Sequence, residues 1–154
     1  GDSKMKRRDI LLALAALPLA TSQVAAAATP LPVLVYKTPS CGCCSGWVEH
    51  MQAAGFAVTA KDVADTSPAR KQLGMPDKFA ACHTASVGGY VIEGHVPAVE
   101  VKRLLASKPA AIGLAVLGMP LGSPGMEAGD RVDPYEVLLI DRRGEASVFA
   151  RYPK

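Results

Sequence analysis

Aromatic residues are scarce in this chain, with three Phe, four Tyr and one Trp among 154 residues, so its core must be built from aliphatic side chains and alanine. The one long apolar stretch, Ile10–Ala20, is interrupted by Pro18 and followed by Thr21-Ser22-Gln23. It falls short of the ~20 apolar residues that a membrane-spanning helix requires. Charge of one sign is lacking too. The formal net charge is +3, and setting aside Lys4, Lys6, Arg7 and Arg8 with Asp2 and Asp9 leaves +1. Without a basic patch interleaved with aromatics, nucleic acid is not an expected partner. The chain also has no G-x-S-x-G elbow, phosphate loop, H-E-x-x-H pair or internal repeat.

What is present begins with an address. Gly1 to Lys4 precede a methionine and read as a cloning scar or an upstream start. From Met5, the basic Lys6-Arg7-Arg8, the apolar run and the alanine tract to Ala28 describe a secretory signal peptide over 5–28. Arg7-Arg8 leaves twin-arginine export open beside the general route. The expected location is the periplasm, with a mature chain from Thr29 and no membrane span once the signal is cleaved. About 125 residues suit one domain.

Val33–Tyr36 is a short apolar run bounded by prolines and predicts a buried strand. Trp47, Val48, Met51 and Ala54 recur at helical spacing up to Gly55, and Phe56–Val58 predicts a second strand. Ser67-Pro68 has the signature of a helix start, with Gly74 as its stop. Thr84–Val87 and Tyr90–Glu93 flank Gly88-Gly89, a pair suited to a tight hairpin turn. That register sets Cys82 opposite His95 and points His83 to the other face. Pro97 opens a further helix. Ile112–Asp130, rich in Gly and Pro, has no clear period and predicts a long loop. Tyr135–Ile140 and Ala146–Tyr152 predict a closing hairpin. The fold class is therefore α/β, with a first domain over 29–109 and an extension over 110–154.

Cys41-Gly42-Cys43-Cys44 places three thiols in four residues at a strand-to-helix junction. Cys41 and Cys44 have the C-x-x-C spacing of a thioredoxin-like redox centre, and a thiol in the first helical turn has its pKa lowered by the helix N-terminus. Cys43 exceeds what a dithiol centre needs. Clustered thiolates are soft ligands suited to Cu(I). Three readings stand: a copper–thiolate site, a dithiol redox centre, and a structural disulfide. Cys82 is either a further thiolate beside His95 or a disulfide partner of the cluster; His83 is either a ligand or an ordinary polar residue. Met119 and Met126 lie in the glycine-rich loop, where there is little core to fill, and thioethers also select Cu(I). Trp47 and Met51 are expected in the core, and His50 in solvent.

Four motifs together resemble the CopG-type copper-resistance family of small periplasmic C-x-C-C proteins. They are Cys41–Cys44, Cys82–Ala85, Tyr90–Ala98 and Gly118–Glu127, within a resemblance running from Val33 to Tyr152. Leu117 departs from the pattern, which would place proline there. The resemblance implies a thioredoxin-like fold with a C-terminal metal-binding extension. It also implies copper ions bridged by sulfur from Cys41, Cys43, Cys44 and Cys82, and interconversion of Cu(I) and Cu(II) in copper detoxification with periplasmic efflux components. His95, Met119 and Met126 complete the expected ligand set. The rival from another class is a thiol-disulfide oxidoreductase acting on proteins.

Overall fold

Short runs of mainly apolar residues form strands here, and the central ones are buried on both faces. The computed structural model describes residues 27–154, so the readings of 1–4 as a scar and of 5–28 as an export signal lie outside the described residues, save Ala27 and Ala28. Eleven elements follow in order. Strand β1 (Pro32–Lys37), helix α1 (Gly42–Ala53) and strand β2 (Ala57–Asp62) form the first unit, with β1 and β2 parallel. Helix α2 (Ser67–Leu73) and a 3-10 turn (Asp77–Phe79) lead to the hairpin β3 (His83–Val87) and β4 (Tyr90–Glu93). Helix α3 (Ala98–Ser107) precedes β5 (Ala111–Ala115), and β6 (Tyr135–Asp141) and β7 (Ala146–Tyr152) close the chain. The α/β class is as expected.

One seven-stranded sheet runs β2-β1-β3-β4-β5-β6-β7. Successive side chains of a strand face opposite sides, and two cores result. Val35, Ala85, Ile92 and Leu114 pack with Trp47 and Met51 of α1 and with Val101 and Leu104 of α3. Their neighbours Val91 and Ala115 pack on the other side with Met75, Phe79 and Ile140. Val87 pairs with Tyr90 across Gly88-Gly89, both at positive φ, and β3 lies antiparallel to β1 with His83 opposite Lys37. The open end of the hairpin therefore sits beside the C-terminal end of β1, where the cysteines begin.

Three local expectations differ from the structure. Helix α2 takes Thr66 as its cap, while the Asp65 carboxylate accepts the Ser67 N–H at 2.9 Å. His50 is half-buried, and its Nε2 accepts the Ala98 N–H at 2.9 Å, joining α1 to the start of α3. The predicted loop over 112–130 begins as strand β5, which pairs parallel with β4. A Cβ at Gly113 would fall on the Val91 carbonyl; the glycine that suggests a loop allows a close approach of two strands. The sheet thus runs on across residues 109 and 110. Among the described residues no helix is long and apolar enough to cross a membrane.

Candidate metal centre

Cys41 occupies the N-cap of α1, with extended backbone (φ −78°, ψ 91°), and its side chain makes no capping hydrogen bond. This turn carries Cys43 and Cys44 into the first coil of the helix, where backbone N–H groups have no carbonyl partners within the helix and favour negative charge. Cys41 and Cys44 are joined in a disulfide, and Cys43 and Cys82 are free thiols. The Sγ atoms of all four cysteines lie within 4.8 Å of one another, with Cys41 and Cys43 separated by 3.5 Å.

Cys82 belongs to a second group with His83 and His95, whose ligand atoms also lie within 4.8 Å of one another. Cys82 Sγ is 3.0 Å from His95 Nε2 and 3.3 Å from His83 Nδ1. The pairing of Cys82 with His95 follows the hairpin register. The expectation that His83 turns away from Cys82 does not hold. The regular ladder ends at Thr84 and Glu93, and Gly94 at φ 73° turns the chain, so strict alternation stops there. The ring of His83 lies 5.1 Å from that of His95, edge to face, and 4.5 Å from that of Trp47.

His95 Nδ1 lies 2.8 Å from the Pro124 carbonyl. A carbonyl only accepts, so Nδ1 carries the proton and Nε2 presents its lone pair towards Cys82. Metal-binding histidines are commonly oriented in this way. His83 Nε2 is buried with no hydrogen-bond partner, which calls for a ligand or another explanation. Burial, aided by the neighbouring His95, lowers the His83 pKa to about 3, and burial lowers that of His95 too. Both rings are thus neutral and able to donate at pH 7. Burial, reinforced by nearby Cys43, pushes the Cys82 thiol up to about 12, and a cation would displace its proton. Thiolate sulfur with imidazole nitrogen suits Cu(I) and Zn(II) and disfavours hard ions.

The glycine-rich loop closes over this end of α1. A Cβ on Gly46 would stand 2.9 Å from the Gly125 Cα, and one on Gly125 would meet the Cys43 carbonyl and the Trp47 nitrogen. Only two glycines permit that approach. Met126 follows directly and is half-buried. Met119 is 55% exposed and lines a hollow with Leu117, Pro120 and Tyr135 that no cysteine or histidine borders. Sequence reasoning had left His83 undecided; its adjacency to Cys82 was the available signal.

Residues 79–126 match a family model described as a protein of unknown function, DUF411. No curated protein matches the chain. Two solved structures, reported as copper resistance protein CopG, Form 2 and Form 1, are each 46% identical with a TM-score of 0.76. The matches cover 80% and 81% of this chain and 99% of each of those chains. This chain belongs to the CopG family. The CopG resemblance drawn from four separate motifs is thereby established over most of the described residues. The family-model match includes Cys82, His83, His95 and both loop methionines but not Cys41–Cys44.

Proposed function

We propose that this chain is a periplasmic copper-binding protein of copper resistance, holding copper on Cys43 and Cys82 and, once the Cys41–Cys44 disulfide is reduced, on Cys41 and Cys44 as well. His95, His83 and Met126 complete the shell, with Met119 at its outer rim. Residues 29–109 are the thioredoxin-like part and 110–154 the extension that covers the ions. The observation that carries the reading is the convergence of three other cysteine sulfurs and two neutral imidazoles on Cys82.

The Cys41–Cys44 couple gives the site a means of interconverting the ion. Two Cu(II) ions each take one electron from the dithiol; two Cu(I) ions, one disulfide and two protons result. Efflux components of the periplasm are the partners to which Cu(I) would pass. The test is anaerobic titration of the reduced chain with Cu(I) against a chromophoric chelator. More than one copper per chain is expected, because thiolates can bridge metals. Saturation at one ion, or displacement of copper by zinc, would overturn the cluster.

A second reading, a thiol-disulfide oxidoreductase, draws on the Cys41–Cys44 disulfide at a helix N-terminus. It gives Cys82, His83 and His95 no task. Efficient insulin reduction by the copper-free chain would favour it.

A further inference from the structure

Behind the Cys82 group, on the far side of the β3–β4 hairpin, lies an ion pair that the copper reading does not use. Arg70 of α2 and Glu93 of β4 are 4% and 0% exposed, and Arg70 Nε donates to Glu93 Oε1 at 3.0 Å. Glu93 Oε1 also accepts the Ala81 N–H at 2.7 Å, and Oε2 accepts the Thr84 hydroxyl at 2.7 Å. The Arg70 guanidinium donates to the Ala81 carbonyl at 3.3 Å and to the Thr66 hydroxyl at 3.0 Å.

Ala81 immediately precedes Cys82, and Thr84 immediately follows His83. The pair therefore grips both ends of the four-residue segment that carries two candidate ligands. It does so where the strand ladder gives out, since β3 and β4 pair regularly only from Thr84 and Glu93 onward. Glu93 is also two residues before His95. Between them Gly94 donates its N–H to the His83 carbonyl at 3.0 Å, and a Cβ there would stand 2.8 Å from that of Ala81. All three members of the Cys82 group thus hang from one buried carboxylate.

A buried ion pair is a poor device for stability alone, because desolvating both charges offsets most of their attraction. Fixing three donors that meet at one sulfur requires directional bonds, which the forked guanidinium and the two-oxygen carboxylate supply. We infer that Arg70 and Glu93 are positioning residues for copper binding, setting Cys82, His83 and His95 in their binding geometry. This inference rests on the copper reading.

The test compares Arg70→Lys and Thr84→Val with wild type and with Glu100→Gln. Lysine keeps the charge but cannot reach Glu93, Ala81 and Thr66 together. Valine removes the Thr84 hydroxyl at nearly constant shape. Glu100 is an equally buried carboxylate in a different cluster, bonded to Arg103 and Lys154. Cu(I) affinity and the thiolate-to-Cu(II) absorption band are read beside the melting temperature. Outer partners of metal ligands typically contribute 10–100-fold in affinity, so a loss of about tenfold or more is expected in both clamp variants, with a shifted band. Glu100→Gln should bind like wild type even where it melts earlier. Wild-type affinity in both clamp variants would overturn the inference while leaving the copper reading intact; failure of wild type to bind copper would remove both. Should Arg70→Lys not fold, Thr84→Val decides alone.

Discussion

His95 and His83 flank the same sulfur but are held differently. His95 is fixed at both nitrogens, by the Pro124 carbonyl and by Cys82, whereas His83 leaves Nε2 without a partner. A ligand whose orientation is settled beforehand loses less freedom on binding. His95→Ala should therefore lower Cu(I) affinity by the larger factor and His83→Ala by a smaller but measurable one, in chelator competition at fixed pH. An unchanged affinity in His83→Ala would return that ring to the core, as a polar partner of Trp47. The sequence placed Cys82 against His95 because a two-residue glycine turn fixes every pair behind it. It turned His83 to the wrong face, because that ring's orientation depends on where the ladder stops, and that is set by Gly94 and by Arg70, two elements away.

At the scale of elements, the loop and α1 meet through two glycines. Gly125 is at φ 87°, where an L side chain costs about 1–2 kcal/mol, and its Cβ would also collide with α1. Gly125→Ala should lower stability by about 2 kcal/mol or more and weaken copper binding together with it. Gly42→Ala meets no atom within 4 Å and should leave stability unchanged or raise it by up to about 1 kcal/mol. Equal melting temperatures for the two variants would refute the close approach. The last strand is tied to α3 by Glu100, which accepts hydrogen bonds from Lys154, Tyr152 and Arg103. Burial alone would raise this carboxyl, but those donors outweigh it and hold the pKa below the ordinary 4.5. A depressed carboxyl contributes stability above its unfolded pKa and loses it as pH falls through the folded value. The stability gap between wild type and Glu100→Gln should thus be constant at neutral pH and shrink below about pH 4.5 in chemical denaturation. A gap that widens on acidification would contradict the sign. Most elements were legible from apolar period and turn residues. Strand β5 was not, because its Gly113 answers to the Val91 backbone of a neighbouring strand, a contact that no local pattern reveals.

For the whole molecule, the candidate ligands come from three stretches of chain, and only the C-x-C-C stretch announces itself locally. Cys82 and His95 became readable through the hairpin, and the methionine loop as a candidate through thioethers in a stretch with little core to fill; Arg70 and Glu93, 23 residues apart in sequence, gave no signal beyond their charges. Replacing Met119 and Met126 together by Leu conserves volume, so stability should change by less than about 1.5 kcal/mol. Cu(I) affinity should fall, chiefly through Met126, while any disulfide reductase activity of Cys41 and Cys44 should persist. Unchanged affinity in the double variant would remove the loop from the metal shell. The joining of Cys82 to the first-turn cysteines has a kinetic consequence as well. Once the Cys41–Cys44 disulfide is reduced, three thiols lie within four residues and can meet an ion in an unfolded chain, but the fourth is 38 residues from Cys44 and arrives only when β3 has docked on β1. Uptake and residence time are therefore vested in different parts of the chain. In stopped-flow refolding with Cu(I) present, early loose capture should precede a slower tightening that keeps pace with the burial of Trp47; Cys82→Ser should abolish the tightening and spare the capture.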